Sequence, residues 1–216
     1  MSKYPRTYHL PKSPGATSDD KISKSVSSII GIEVVITEKL DGSNASITKN
    51  GIYARSHIDY SRNPWDKEMW NIYHRIGNDI DDDVYLFGEN MEGIHSIEYT
   101  NLKSYFYMFG VRDNNIWIPW ENVEEYSYLL DIPTVPVLFK GIINTEKELY
   151  NLIDKFMKEP SLVGGVKEGV VIRNSGLFHN DFFSENVMKW VRKGHVQTDE
   201  HWTRNWRRSN LNLNLF

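Results

Sequence analysis

The residue with the clearest chemical potential is Lys39, which lies in the run EKLDGSN of residues 38–44, directly after the apolar stretch of residues 32–36. A free lysine has a pKa near 10.4, so at pH 7 only about one molecule in 2,500 carries the neutral amine that can act as a nucleophile. A nucleophilic lysine therefore needs burial or neighbouring positive charge, whereas Glu38 and Asp41 favour the ammonium form. By itself, a lysine at a strand end is usually a solvated surface residue, so Lys39 gains meaning only from the rest of the chain.

Four later segments combine apolar residues with isolated charges or aromatic rings. They are residues 87–89 (FGE), 106–111 (FYMFGV), 167–173 (KEGVVIR) and 187–193 (VMKWVRK). Their apolar patterns predict strands. Glu168 directly precedes one of these strands, and buried acids are rare without a partner, which favours a binding role for it. For the aromatic residues of 106–111, core packing is almost as good an explanation as stacking on a ligand.

Taken in order, these segments resemble the covalent nucleotidyltransferases, the superfamily of polynucleotide ligases and mRNA capping enzymes. Within it the chain is most similar to RNA ligases of the phage double-strand-repair type, over five motifs from about Ile32 to Lys193. The resemblance implies an ATP-dependent RNA ligase: Lys39 becomes adenylated, AMP passes to an RNA 5′-phosphate, and a 3′-hydroxyl then seals the strand. Asn44 stands where DNA ligases and capping enzymes typically have arginine, which favours RNA ligase.

The resemblance also implies a role for each motif residue. Lys39, Asp41 and Lys189 are the implied catalytic residues, Lys189 by contacting the α-phosphate. The implied nucleotide-binding residues are Glu38 at the adenine edge, Gly42, Asn44, Arg55, Glu89 at the ribose hydroxyls, Phe109 stacked on adenine, Glu168, Lys189, Arg192 and Lys193. Glu168 is the implied metal ligand, and the implied cofactors are ATP and Mg²⁺ or Mn²⁺. This metal, with cations facing ATP, would have to outweigh the acids beside Lys39.

The last motif departs from the family pattern. Relatives usually have two lysines separated by one residue, but here Lys189 is followed two places later by Val191. Arg192 and Lys193 are the candidates for the second cation. If neither reaches the phosphates, stabilisation of the departing pyrophosphate would be weaker, because positioned cations do most of the work in such reactions.

The C-terminal region is basic and aromatic. From Lys189 to Arg208 there are six Lys/Arg residues against two acids, with tryptophans interleaved. This composition suits a phosphate backbone with unstacked bases, and a solvated basic face explains it equally well. We expect Arg204, Arg207 and Arg208 to bind RNA. His195 and His201 lack a third zinc ligand, so we interpret them as RNA contacts or structural residues.

Composition limits the class of protein. With 216 residues the chain fits one domain with at most a small appendage, and zero cysteines exclude disulfides and thiolate chemistry. A net charge of −4 argues against indiscriminate coating of nucleic acid. Without a signal-peptide core or a membrane-length apolar run, we expect a cytoplasmic monomer with no membrane partner, for which a phage or viral origin is compatible.

Strands and helices alternate in clusters, which predicts an α+β fold with mainly antiparallel sheets. The resemblance adds a nucleotide cleft between two such sheets flanked by helices. Predicted helices cover residues 65–76, 121–130 and 146–158, the last capped by Thr145. We expect residues 1–30 to form a loosely packed arm, 31–193 the adenylation domain, and 194–216 an extension packed on that domain.

Two alternatives remain open. A capping-type guanylyltransferase or a small DNA ligase would normally carry an OB-fold domain after the last motif, whereas 23 residues follow Lys193. ATP is preferred to NAD because the chain leaves little room for a further N-terminal domain. The irregular last motif also leaves open a catalytically inactive module that binds nucleotide or RNA.

Overall fold

The computed structural model describes residues 3–55, 59–194 and 202–212. Within these ranges the strands are β1 (Tyr8–His9), β2 (Glu33–Lys39), β3 (Ser43–Thr48), β4 (Gly51–Ala54), β5 (Val84–Asn90), β6 (Phe106–Asp113), β7 (Ile116–Trp117), β8 (Val137–Ile142), β9 (Gly169–Asn174), β10 (Phe178–His179) and β11 (Val187–Val191). The α-helices are α1 (Lys67–Ile76), α2 (Trp120–Leu130), α3 (Glu146–Lys158) and α4 (Phe183–Asn186).

The strands form two sheets. The first has the order β1-β11-β9-β2-β8 and the second has the order β10-β7-β6-β5-β3-β4. Every pair of neighbouring strands is antiparallel except β1 and β11, which run parallel. The predicted α+β architecture with two mainly antiparallel sheets is therefore confirmed.

Strand alternation in β2 explains how the first sheet presents Lys39. Val34 and Ile36 pack into the core beneath α3, while Val35 packs into the core shared with the second sheet. Because successive side chains of a strand point to opposite faces, Lys39 shares the face of Val35 and Thr37, which is turned towards the second sheet. Both faces of β2 are covered at its centre, where Val34, Val35 and Ile36 are consecutive apolar residues and fully buried.

Helix α3 covers the outer face of the first sheet. It begins after Thr145, whose hydroxyl accepts a hydrogen bond from the backbone N–H of Glu148 at 3.1 Å. Thr145 is therefore the N-cap, as predicted. Leu149, Ile153 and Phe156 are buried at helical spacing and join the core formed with β2, β9 and β11. This layer keeps the cleft side of the sheet free for polar residues.

The N-terminal segment differs from the expected loosely packed arm. β1 pairs with β11, with His9 opposite Lys189, and Leu10, Val26 and Ile29 are buried in the core beneath α3. Most of the polar residues between these anchors are exposed, whereas Ser13 is buried and Asp20 faces the cleft. The segment is therefore part of the first sheet.

The described C-terminal residues, 202–212, also lie on this domain. Isolated bridges join Gly93 to Arg208 and Leu102 to Leu211. His195 and His201 lie outside the described residues. No helix in the described ranges has the length and apolar character needed to cross a membrane.

Candidate active site

A cleft of about 720 Å³ lies between the two sheets, and it contains most of the predicted site residues. The predicted residues that line it are Glu38, Lys39, Gly42, Asn44, Arg55, Glu89, Phe109 and Lys189. Asp41, Glu168, Arg192, Lys193, Arg204, Arg207 and Arg208 do not line it. The structure thus brings together residues from β2, β3, β5, β6 and β11 that are far apart in the sequence.

Lys39 is held at the cleft by a buried carboxylate. Its Nζ donates to Glu168 Oε2 at 2.6 Å, and the lysine side chain is 25% exposed whereas that of Glu168 is 5% exposed. Burial alone would lower the pKa of Lys39, but attraction to Glu168 and Glu89, the hydrogen bond to Glu168 and the charge of Asp41 raise it above its ordinary value. In this arrangement Lys39 is an ammonium group, so its conversion to a nucleophile requires that the carboxylates be engaged by another cation.

Burial also raises the pKa values of two acids near Lys39. Burial, opposed by Lys39 and reinforced by Glu168 and Asp41, raises the pKa of Glu89 to about 8. Burial and the charge of Glu168 likewise raise the pKa of Asp41. The three carboxyl groups around Lys39 therefore do not all ionise easily in this poorly solvated place, and a further cation would favour their ionised forms.

Asp41 acts in the structure by fixing the loop after Lys39. Its Oδ2 accepts the backbone N–H groups of Ser96 at 2.8 Å and Ile97 at 2.9 Å, and its own N–H donates to the Tyr99 hydroxyl at 2.9 Å. A carboxylate oxygen with two backbone donors is well satisfied. The contacts support an orienting role for Asp41.

Gly42 lies against the neighbouring strand β5. A Cβ at this position would lie 2.6 Å from the carbonyl oxygen of Asn90 and 2.7 Å from Met91 Sδ. Any larger residue would therefore push β3 away from β5, where Asn44 is paired with Glu89. The glycine is therefore required for this close approach of the two strands.

The aromatic end of the cleft is formed by Phe109 and residues around it. The Tyr4 ring lies 5.1 Å from the Phe109 ring at 65° and 5.6 Å from Trp117 at 89°. Glu38 also lines this cleft; its Oε2 accepts the N–H of Leu162 at 3.1 Å, and Oε1 makes no hydrogen bond of ordinary geometry with a described residue. A buried carboxylate oxygen whose neighbouring donor, the Ser161 hydroxyl, is not well aligned can accept a further hydrogen bond from a base.

Lys189 approaches the cleft from β11 and pairs with an acid that sequence analysis did not identify. Its Nζ lies 3.5 Å from Asp20 Oδ1. Asp20 Oδ2 accepts hydrogen bonds from the backbone N–H and the hydroxyl of Thr17. Burial lowers the pKa of Lys189 although Asp20 opposes this effect. Burial works against the ionised form of Asp20, but the hydrogen bonds from Thr17 and the charges of Lys189 and His9 lower its pKa to about 2.

A buried arginine joins the two sheets at the base of the cleft. Arg173, on β9, donates from Nη1 to the Phe109 carbonyl at 3.3 Å and from Nη2 to the Ile118 carbonyl. Its guanidinium lies 5.8 Å from the Trp120 ring and 5.4 Å from the Phe178 ring. Burial lowers the pKa of Arg173 to about 10. Arg173 was not predicted as a site residue. Its position at the end of the apolar run in residues 167–173 is the sequence feature that could have indicated an interior role.

The predicted RNA-binding arginines lie on the C-terminal segment, and two of them are paired with acids. Arg208 forms ion pairs with Glu68 and, at 3.3 Å, with Glu92, and Arg207 is 3.3 Å from Glu98. These pairs attach the segment to the domain. Arg204 is exposed, and Thr203 beside it lines the cleft.

The site offers few protein ligands for a metal. Among the described residues no group of three or more His, Cys, Asp or Glu converges in a way that could hold an ion. Mg²⁺ and Mn²⁺ bound with phosphates need only one or two carboxylates, because phosphate and water oxygens complete their coordination. The buried Glu168, which now binds a cationic group, fits that requirement.

Sequence analysis also missed residues that the N-terminal segment brings to the cleft. Tyr4, Arg6, Thr7 and Asp20 all line it. They carry no recognisable motif, and a two-residue strand gives almost no periodic signal. Pairing between β1 and β11 places them here.

Comparison with solved structures shows the same fold. A mutant of Naegleria gruberi RNA ligase with ATP and Mn is 17% identical, with a TM-score of 0.61 over 91% of this chain and 58% of that one. The Naegleria gruberi enzyme with pyrophosphate is 19% identical, with a TM-score of 0.60 over 89% and 56%. An archaeal ATP-dependent RNA ligase is 15% identical, with a TM-score of 0.58 over 89% and 48%. The chain thus spans about half the length of these proteins.

A search of curated protein sequences gives no match. The family model described as RNA ligase matches residues 32–191, which include both sheets of the cleft apart from β1. That match covers well over half of the chain, and it contains Lys39, Glu89, Phe109, Glu168 and Lys189. The chain belongs to the RNA ligase family.

Proposed function

We propose that the protein is an ATP-dependent RNA ligase that acts through a lysyl-AMP intermediate on Lys39. The observation that carries the proposal is the placement of Lys39 Nζ, partly exposed to the cleft and held 2.6 Å from the buried Glu168. The similar structures that contain ATP and Mn, or pyrophosphate, support ATP as the substrate. Family membership supports RNA as the joined polymer.

The first step joins Lys39 to AMP and releases pyrophosphate. The neutral Lys39 amine attacks the α-phosphorus, an N–P bond forms, the bond from the α-phosphorus to the bridging oxygen breaks, and pyrophosphate leaves. The amine loses one proton before attack and one after it. Both protons pass to solvent, which reaches the partly exposed Lys39 side chain, so Glu168 remains ionised for the metal.

Other side chains hold the substrate in this proposal. Phe109 stacks on the adenine, the unsatisfied Glu38 Oε1 accepts from its edge, and Glu89 binds the ribose. Lys189 and Arg55 contact phosphate oxygens. When bound beside Glu168, Mg²⁺ or Mn²⁺ supplies positive charge that competes with Lys39 for the carboxylate and offsets phosphate charge.

The later steps use RNA ends. AMP moves from Lys39 to the 5′-phosphate of an RNA, and the 3′-hydroxyl of a second end then attacks that phosphate and releases AMP. Asn44, which lines the cleft, and the exposed Arg204 are the residues we assign to RNA contact. A role in RNA repair follows from joining such ends.

The test is incubation with radiolabelled ATP or GTP and a divalent metal, followed by a denaturing gel. We expect label from ATP on the wild-type protein and none on Lys39→Ala. Lys49→Ala is the matched control, because Lys49 is an exposed lysine paired with Asp82 and away from the cleft. Label retained by Lys39→Ala would place the nucleophile elsewhere.

The same gel separates the alternative functions. Label from GTP alone would indicate a capping-type guanylyltransferase. Absence of label from either nucleotide, with ATP binding retained, would indicate an inactive nucleotide-binding module. Sealing of a nicked RNA but not of the matching nicked DNA separates RNA ligase from small DNA ligase.

A further inference from the structure

The phosphate end of the cleft has fewer cations from the last motif than the family pattern predicts. Val191, where relatives have a second lysine, is 1% exposed and belongs to the interior. The two candidates for a replacement, Arg192 and Lys193, are not among the residues that line the cleft. Any second cation beside Lys189 must therefore come from another part of the chain.

Arg6 lines the cleft from the N-terminal segment. Its side chain is exposed, and no hydrogen bond or ion pair joins it to another described residue. By contrast, Lys39 is paired with Glu168 and Lys189 with Asp20. An arginine without an acidic partner in a concave site attracts anions, and its planar fork matches two phosphate oxygens.

The backbone on both sides of Arg6 is fixed. Two residues earlier, Tyr4 packs its ring against Phe109 and Phe183, each at 5.1 Å. Two residues later β1 begins, and its His9 pairs with Lys189. Arg6 thus lies between the aromatic end of the cleft and the strand that carries Lys189, so little freedom of its main chain remains to be lost when a ligand binds.

We propose that Arg6 binds a phosphate group in the cleft, in the place of the missing lysine of the last motif. The proposal rests on the proposed function for the identity of the ligand. The phosphate belongs either to the triphosphate of ATP or to the 5′ end of the RNA, since both pass through the same cleft. The N-terminal segment then contributes two groups to the site: Arg6 directly, and Asp20 by holding Lys189.

Equilibrium binding tests this without relying on turnover. In the Lys39→Ala protein, which cannot be adenylated in our scheme, affinities are measured for ATP against adenosine and for 5′-phosphorylated RNA against 5′-hydroxyl RNA. We expect Arg6→Gln to weaken binding of one phosphorylated ligand about 10- to 100-fold, the loss of a charged hydrogen bond, while its unphosphorylated counterpart is unchanged. Arg6→Lys should recover part of the loss.

The control is Lys21→Gln, which removes one exposed positive charge from the same segment outside the cleft. It should change every affinity by less than about twofold, because exposed charges are screened. A loss confined to ATP assigns Arg6 to the triphosphate, and a loss confined to 5′-phosphorylated RNA assigns it to the RNA end. If Arg6→Gln binds both phosphorylated ligands as the control does, the proposal is wrong.

Failure of this proposal is separable from failure of the proposed function. Wild-type protein that takes no label from ATP contradicts the ligase mechanism, whereas the phosphate preference of Arg6 is still read from affinities. Normal labelling together with unchanged affinities in Arg6→Gln contradicts only the role of Arg6. Thermal unfolding of each variant checks that losses do not come from unfolding.

Discussion

Lys39 and Lys189 reach the same cleft from strands of the same sheet, yet their pKa values are shifted in opposite directions. Their side chains are similarly exposed, 25% for Lys39 and 20% for Lys189. Burial lowers the pKa of each. For Lys39 it is outweighed by Glu168, Glu89 and Asp41, whereas for Lys189 the attraction of Asp20 does not outweigh it. Exposure alone therefore does not determine the direction of a lysine's pKa shift; the neighbouring charges also do, three acids around Lys39 and the Lys39 cation near Lys189.

The difference fits the two chemical tasks that we propose for these lysines. A lysine stabilised as an ammonium by several acids is protected from reaction until those acids are occupied, which suits a nucleophile that should react only with its substrate present. A lysine with a single acidic partner at 3.5 Å is a cation available to phosphate.

The largest effect on adenylation is expected when Lys39 is replaced by a residue that keeps the positive charge but cannot act as a nucleophile. Lys39→Arg should lower single-turnover adenylation more than about 1000-fold, because a guanidinium is not deprotonated in proteins. Lys189→Arg should retain at least about a tenth of the rate, since it preserves a cation at the phosphates. If label transfer shows equal losses of adenylation rate in the two variants, the two lysines do not have the different roles proposed here.

A smaller effect is expected when one acid is removed from Lys39. In Glu168→Gln the largest contribution that raises the pKa of Lys39 is lost, so its pKa should fall and more of it should be neutral at pH 8. Its rate of reaction with an amine-specific reagent, followed by mass spectrometry, should rise about threefold or more, with the exposed Lys49 outside the cleft as the internal reference. Adenylation should nevertheless fall, because the carboxylate assigned to the metal is gone. Unchanged reactivity of Lys39 would contradict the assigned cause of its raised pKa.

Glu89 provides a test through stability. Its folded pKa of about 8 lies above its ordinary value of 4.5, so the folded state binds the proton more tightly and loses stability as pH rises from about 4.5 to about 8. Glu89→Gln cannot ionise and should lack this decline. At pH 8 the variant should melt about 2–4 °C above wild type, the shift expected for about 1 kcal/mol in a domain of this size, with a smaller gain at pH 5. A pH-independent difference would show that ionisation of Glu89 is not the cause.

The smallest effect is expected at the partner of Lys189. The pKa of Asp20 is lowered to about 2, so its stabilising contribution is present above its ordinary value of 3.8 and is lost as pH falls towards 2. At pH 7 the free energy of unfolding of Asp20→Asn should therefore be about 1 kcal/mol lower than that of the wild type, the magnitude typical of partly exposed ion pairs. This difference should shrink at low pH. Asp19→Asn, one residue earlier and exposed, is the matched control.

The motif lysine and most of its partners could be predicted from the sequence because they occur in recognisable segments with clear strand periodicity. The acids that control Lys39 could not be ranked in this way. Glu38 and Asp41 are its neighbours in sequence, but the largest raising contribution comes from Glu168, which is 129 residues away. Sequence distance says little about which charge lies nearest, because sheet pairing decides it.

The N-terminal wall of the cleft was the main feature that sequence analysis did not predict. Its polar composition is typical of a loose arm, and its anchors are single residues such as Tyr4 and Leu10. Strand β8 was also missed, although it pairs with β2 along the edge of the first sheet. Prolines at 133 and 136, just before it, favour a loop over a strand in a local reading.

The guanidinium of Arg173 has a consequence for how the site can adapt. It connects β9 to main-chain carbonyls of the opposite sheet, so the spacing between the walls is established during folding, before a ligand arrives. Adjustment to differently shaped substrates must then take place at the rim, through side chains such as Arg55 and Thr203. Substitution of rim residues should accordingly alter which substrates the cleft accepts. Changes at Arg173 should instead affect whether the cleft forms at all.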